Sequence, residues 1–332
     1  MTRHIGIDLG TNTIISGVSV DNNTPMFKVQ RDAFFNVVAK TEINKISIKN
    51  SLDKRGVNYI TADDGSFLIV GQDAIEMAVE RNSTAQRPMS KGVISPKEKA
   101  SLPMLKLLIE GLIGRGEPGD KCVYSIPSKP IDADFDIVYH DGVMKMYLKE
   151  MGYEATSINE AYAVGLSELL DDGLNGIAIS CGAGQINVCI LHDGEQLVDF
   201  STTKAGDYID NAVSLALDLN PSFVQFEKES GTDLLNPTTK IMEAVSVYYD
   251  AVLSYTLKSI AYELRKREKE LPVFRNKIPM VFAGGLSLAS GFIERVNANL
   301  QETNFPISIS EVRLAKNPLY TVANGALLAS QL

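Results

Sequence analysis

Ile5-Gly6-Ile7-Asp8-Leu9-Gly10-Thr11-Asn12-Thr13 is an apolar strand running into a glycine turn, and Ile177-Ala178-Ile179-Ser180-Cys181-Gly182-Ala183-Gly184-Gln185 repeats the pattern 172 positions on. Each copy leads into a second apolar strand, over 14–20 and 186–191. Each of those ends in turn-forming residues, Asp21-Asn22-Asn23 and His192-Asp193-Gly194. Two matching hairpins opening two halves of a chain imply two similar domains facing one cleft. Glycine lets a backbone bring its N–H groups against an anion, so the pair reads as a clamp for phosphate.

Working outward, 31–87 reads as a small, polar, irregular subdomain inserted in the first half. It has strands at 57–60 and 67–70 and a helix over 72–81. Apolar periodicity predicts further helices over 102–113, 137–151, 160–170, 238–269, 291–300 and 321–332. Short buried strands fall at 122–126 and 278–282, the first closed by Pro127. Strands alternating with helices predict an α/β fold with largely buried sheets. The apolar face of the longest helix is expected at Ile241, Val245, Tyr248, Val252, Tyr255 and Ile260, and Tyr249 and Tyr262 are expected to pack in the core with it.

Composition narrows the function. The chain has 332 residues, enough for two domains, and its 45% apolar and 22% charged content is that of a globular protein. The formal charge of -9 argues against charge-driven nucleic-acid binding. Cys122, Cys181 and Cys189 lie in apolar runs without metal-ligand spacing, so reduced core thiols in a cytoplasmic protein are expected. Met1-Thr2-Arg3-His4 leads straight into the first strand, leaving no room for a secretory leader. No apolar run reaches the roughly 18 residues of a membrane span. Membrane contact is not evident. His4, His140 and His192 are scattered and take no role.

Individual segments carry two readings each. Asp8 is either a turn acid or a group that orients the waters of a phosphate-bound Mg²⁺. Gly10, Thr11 and Asn12 offer a phosphate loop, as do Gly182, Ala183 and Gly184. Gly284-Gly285 follows a strand, where a bare backbone lies flat against a nucleotide base, or merely caps a helix. Gly206 and Asp207 open a helix. Asp207 or Asp210 is more simply a first-turn acid than a catalytic group. Glu160 is either such an acid or a residue that positions an attacking water.

In this order the segments resemble the actin, heat-shock-chaperone and sugar-kinase ATPase superfamily. Asp8 to Thr11 is similar to its first phosphate motif, Ser180 to Gln185 to the second, Asn159-Glu160-Ala161 to the connecting helix, Gly284-Gly285 to the adenosine motif, and Asn317 to Ala326 to the second connecting helix. Within it, Arg87-Pro88-Met89-Ser90-Lys91-Gly92-Val93-Ile94, Ile126-Pro127-Ser128 and Ala205 to Asp210 resemble the bacterial actin MreB and its relatives.

The resemblance implies a two-domain actin-like ATPase fold, each large subdomain a mixed sheet flanked by helices, with nucleotide in the interdomain cleft. The domains would be 1–157 plus 313–332, and 158–312, with inserted subdomains at about 31–87 and a short one at about 215–236. It implies binding of ATP or ADP with Mg²⁺, Asp8 as metal-water ligand and Glu160 and Asp8 as the catalytic pair. Gly10, Thr11, Asn12, Ser180, Gly182, Ala183, Gly184, Gly206, Asp207, Gly284 and Gly285 would contact the nucleotide. It implies self-assembly into filaments, with any cargo or adaptor protein unspecified.

Two departures matter. The family has acids where Ser180 and Asn187 stand, so slow hydrolysis is expected. The first phosphate loop is one residue shorter than the usual MreB loop. A non-polymerising chaperone-like nucleotide-binding module or sensor is the alternative. A small-molecule kinase is disfavoured, because no sugar-binding loops are found.

Overall fold

The computed structural model describes residues 2–20, 24–96, 100–272, 274 and 276–332. The expected turn Asp21-Asn22-Asn23, and Met1, lie outside the described residues.

The first hairpin is β1 (Arg3–Leu9) and β2 (Thr13–Val20), continued by β3 (Met26–Arg31). A small antiparallel sheet of β4 (Phe34–Val37), β5 (Tyr59–Thr61) and β6 (Phe67–Val70) follows, with α1 (Glu42–Arg55) and α2 (Gln72–Glu80). A two-residue-strand hairpin, β7 (Met89–Ser90) and β8 (Val93–Ile94), leads to α3 (Ser101–Ile113), β9 (Lys121–Ile126), α4 (Val138–Glu150), β10 (Glu154–Asn159) and α5 (Glu160–Glu168). The second hairpin is β11 (Gly176–Cys181) and β12 (Ile186–His192), continued by β13 (Glu195–Thr202). Then come α6 (Gly206–Leu217), α7 (Pro221–Glu229), α8 (Lys240–Lys266), β14 (Ile278–Ala283), α9 (Phe292–Glu302), β15 (Ile309–Leu314) and α10 (Thr321–Gln331).

The two large sheets have one topology. The first runs β10-β9-β1-β2-β3 and the second β15-β14-β11-β12-β13. In each, a three-stranded antiparallel meander is extended by two parallel strands that return through helical crossovers. The repeated hairpin is therefore the visible tip of a repeated five-stranded unit.

Side-chain alternation explains what each face does. In β11 and β12, Ile177, Ile179, Ile186, Val188 and Ile190 enter the large core beneath α8. The opposite face carries Ala178, Cys189 and Leu191, and packs α5. Its small residues let the crossing helices approach closely. Where α5 meets α10, a methyl group on Gly325 would stand 1.9 Å from the Ala163 carbonyl oxygen, so only glycine fits. The helix α10 also lies along β1, on the face of Gly6, where a methyl group would stand 2.2 Å from the Leu327 nitrogen, while Ile5 and Ile7 on the other face enter a core with α3 and α4.

Two expectations need correction. The inserted segment 31–87 is not irregular: Thr41 caps α1 through its hydroxyl, and the helix runs 14 residues. Leu52 is its one buried residue, so apolar periodicity gave no sign of it. The buried stripe of α8 runs through Met242, Val245, Tyr249, Val252, Leu253, Leu257, Ile260 and Leu264. That is about one position round from the expected face, and Tyr262 is 60% exposed rather than in the core. The short segment expected at 215–236 takes in the end of α6 and all of α7, which is capped by Asn220 with Pro221 in its first turn.

Candidate functional site

A cleft of about 380 Å³ opens where the two hairpin turns meet. Every residue expected at the site lines it. Asp8, Gly10, Thr11 and Asn12 come from the β1–β2 turn, Glu160 from the start of α5, and Ser180, Gly182, Ala183 and Gly184 from β11 and its turn. Gly206 and Asp207 come from the start of α6, and Gly284 and Gly285 from the turn after β14.

The turns touch. A methyl group on Gly184 would stand 2.2 Å from Thr11 Oγ1 and 2.7 Å from the Gly92 nitrogen. Gly92 belongs to the β7–β8 turn, where Lys91 and Gly92 both have positive φ, 51° and 74°. That turn inserts between the two glycine loops. The Gly92 N–H donates to Thr11 Oγ1 (2.8 Å), and Gln185 Nε2 donates to the Lys91 carbonyl (2.9 Å).

Two carboxylates face one another across the cleft. Asp8 Oδ1 accepts a hydrogen bond from the Ser125 hydroxyl (3.2 Å), whose oxygen in turn accepts the Leu9 N–H (3.0 Å). Shielding from water pushes the Asp8 carboxyl well above the usual range, and the Glu160 charge pushes it further. Glu160 is also pushed up by burial, while hydrogen bonds from Ser180 and Asn187 draw it back. Two shielded acids side by side disfavour a double negative charge and favour a proton or a cation between them. Among the described residues, no group of three or more His, Cys, Asp or Glu side chains gathers to enclose a metal directly. The pair therefore fits a cation that keeps most of its own water, as Mg²⁺ does.

Ser180 and Asn187 are cross-strand partners in β11 and β12. Both serve Glu160. The Ser180 hydroxyl donates to Oε1 (2.6 Å) and Asn187 Nδ2 donates to Oε2 (2.9 Å). The two residues that stand where the resemblance implied acids thus hold the remaining acid by both its oxygens. Acids there would repel it.

The rim carries a polar network that sequence reasoning did not find. Arg87 bonds Asp207 (2.6 Å) and Gln225 (2.7 Å). Gln225 Nε2 also donates to Asn12 Oδ1 (2.9 Å). Arg31 pairs with Glu229, and Asn12 Nδ2 donates to Glu229 (3.0 Å). Lys228, nearly buried, pairs with Asp210 (2.7 Å). Asp207 and Asp210 are thus more than first-turn helix acids. The contacts just given for Arg87, Asn12 and Arg31 join residues more than 100 positions apart, so no local pattern could reveal them. Only α7, short as it is, brings Gln225 and Glu229 to the rim.

A family model described as Volactin matches residues 3–330. The chain belongs to the Volactin family. This Volactin chain has the actin-like fold. It is similar to MamK in its double helical filament, with 21% identity, 100% of this chain and 99% of that one covered, and a TM-score of 0.70. It is similar to MreB5 of Spiroplasma citri bound to AMPPNP, with 15% identity, 100% and 96% covered, and a TM-score of 0.64. It is also similar to the ethanolamine utilization protein EutJ of Carboxydothermus hydrogenoformans, with 16% identity, 99% and 90% covered, and a TM-score of 0.53. No curated protein matches the Volactin chain.

Proposed function

We propose that the protein is a cytoplasmic actin-like cytoskeletal protein that binds ATP with Mg²⁺ in the cleft, hydrolyses it slowly and polymerises into filaments. The observation that carries the reading is the Asp8–Glu160 pair set between two touching glycine turns. The solved structures of MreB5 with AMPPNP and with ADP, and of MamK as a filament, support it. The two domains would be 1–157 plus 313–332, and 158–312.

Backbone N–H groups of Gly10, Thr11, Gly182 and Gly184 would cradle phosphate oxygens. The compartment of Gly284, Gly285, Leu286 and Ala289 would take the adenosine. Asp8 would hold Mg²⁺ through the ion's waters, and the ion, when bound, would supply positive charge to the phosphates. Glu160 orients a water for attack and takes up its proton, a task suited to a carboxyl whose affinity for protons burial has raised. Its isolation from other acids on its own half is what would keep turnover slow. Among the described residues no helix is long and apolar enough to cross a membrane.

The reading is tested by negative-stain microscopy and pelleting of the purified protein with ATP, ADP and no nucleotide, with phosphate release followed in the same samples. ATP-dependent filaments with slow release are expected. Monodisperse particles across salts and nucleotides would count against polymerisation and favour a non-polymerising module.

A further inference from the structure

The clamp on Glu160 does not end at Asn187. While its Nδ2 donates to Glu160, its Oδ1 accepts the Ser128 N–H (2.8 Å). Ser128 begins a segment of the first half, 128–132, that lies along β13 at the edge of the second sheet. The Ser201 hydroxyl donates to the Ser128 carbonyl (2.8 Å). Ser201 N donates to the Lys129 carbonyl (3.1 Å), Ile131 N donates to the Ser201 carbonyl (2.9 Å), and Thr203 N donates to the Asp132 carboxylate (2.9 Å). This is a seam: one half of the molecule supplies a strand-like edge to the sheet of the other. Asn159, the residue before Glu160, is also tied to it, through Nδ2 to the Ser128 hydroxyl (2.5 Å), while its Oδ1 caps α5.

An amide is the one small side chain that makes both ends of this link. It needs a donor toward a carboxylate and an acceptor toward a backbone N–H, about one side-chain width apart. An acid at 187 would keep the acceptor and lose the donor. We propose that Asn187, with Ser180, is a positioning residue for Glu160, and that Asn187 makes the orientation of Glu160 depend on the seam between the two halves. Sliding of the seam as the halves open would pull Ser128 from Asn187 and release Glu160 from its water-directing pose. The proposal rests on the hydrolytic reading above.

The titratable groups within reach of the Glu160 charge are Asp8 from β1 and Cys181, whose thiol lies on the other face of β11 from Ser180. Ser180 and Asn187 are its neutral neighbours. The test follows the Glu160 carboxyl carbon by NMR in protein labelled with ¹³C-glutamate, assigned with Glu160→Gln. It compares wild type with Ser180→Ala, Asn187→Ala, Asn187→Asp and Ser201→Ala, and measures ATP turnover alongside. Each lost donor raises the Glu160 midpoint by about one pH unit. Asn187→Asp raises it most, because a second carboxylate meets the first.

Ser201→Ala touches neither Glu160 nor the cleft, yet it is expected to move the Glu160 resonance and to lower kcat with KM unchanged. For Asn187→Ala the loss in kcat is about 10–100-fold, the range for removed outer-shell partners. A Glu160 titration that is the same in wild type and in both alanine variants overturns the clamp. A resonance unmoved in Ser201→Ala overturns the link to the seam. If the titration shifts occur but the wild type hydrolyses nothing, the ATPase reading fails and the clamp stands.

Discussion

Arg87→Ala should open the cleft. Its guanidinium bonds Asp207 at 2.6 Å and Gln225 at 2.7 Å, and the ion pair is 19% exposed on the arginine side and 30% on the aspartate side. Shielded hydrogen bonds to a charge are worth about 1.5–3 kcal/mol each. Partial exposure discounts that, so about 1 kcal/mol each is a fair allowance. The two together favour the closed state by about 2 kcal/mol, or roughly 30-fold in the open-to-closed ratio at about 1.4 kcal/mol per tenfold. Release of a fluorescent ADP analogue, chased with excess ATP in a stopped-flow instrument, reads that ratio directly. Arg87→Ala should release nucleotide about 30-fold faster than wild type, and Gln225→Ala by a smaller factor. Raising salt should speed wild type toward the variant, because the pair at the rim is screened within a Debye length of about 8 Å at physiological salt. Lys49→Ala removes a comparable pair on the exposed face of α1 and should change nothing. Release from Arg87→Ala within twofold of wild type would refute the idea that the rim network governs closure.

Further outcomes follow from other contacts. Gly325→Ala drives a methyl group into the Ala163 carbonyl, and a loss of about 1–3 kcal/mol should appear as a lower Tm in calorimetry. Asp32 is fully buried, one of its oxygens has no partner, and burial raises its carboxyl to about 8. The folded chain then keeps a proton that the unfolded chain has released above about pH 4, so stability falls as pH rises between about 4 and 8. Asp32→Asn retains an acceptor for the Met89 N–H (3.1 Å) and should gain on wild type in Tm from pH 5 to pH 8. A difference in Tm that does not vary with pH would contradict this. All three cysteines are buried and free, with their thiols pushed up by burial. A thiol reagent should therefore label them only after denaturation, as intact mass would report.

What the sequence made legible was what repeats or what glycine marks. The hairpin turns of β1–β2 and β11–β12, the start of α5 and the turn after β14 each carry a local signature, and they meet in one cleft. The helix α1 left no signature, because a helix that buries Leu52 alone has no apolar stripe to read. The edge strands β10 and β15 were missed for a similar reason, since both are rich in polar residues and neither is an apolar run. Arg31, Arg87, Gln225 and Glu229 look like ordinary polar surface residues until folding brings together segments that are far apart. Ser180 and Asn187 are the instructive case. Read one at a time, they are losses of charge. Read as neighbours across a strand pair, they are two donors aimed at one carboxylate. That distinction depends on β-register, which spacing alone does not give.

The placement of α10 has a consequence for how the chain is made. β1 is synthesised long before α10, yet its Gly6 face is covered by α10, which crosses α5 at Gly325. At about 5–20 residues per second, β1 waits on the order of tens of seconds for residues 321–331 to leave the ribosome. During that interval the Gly6 face of β1 lacks its cover, whereas Ile5 and Ile7 on the other face meet α3 and α4 much sooner. The core of the first half, which draws only on residues 5–155, should therefore form early in translation, with the packing of α10 on β1 and α5 completed last.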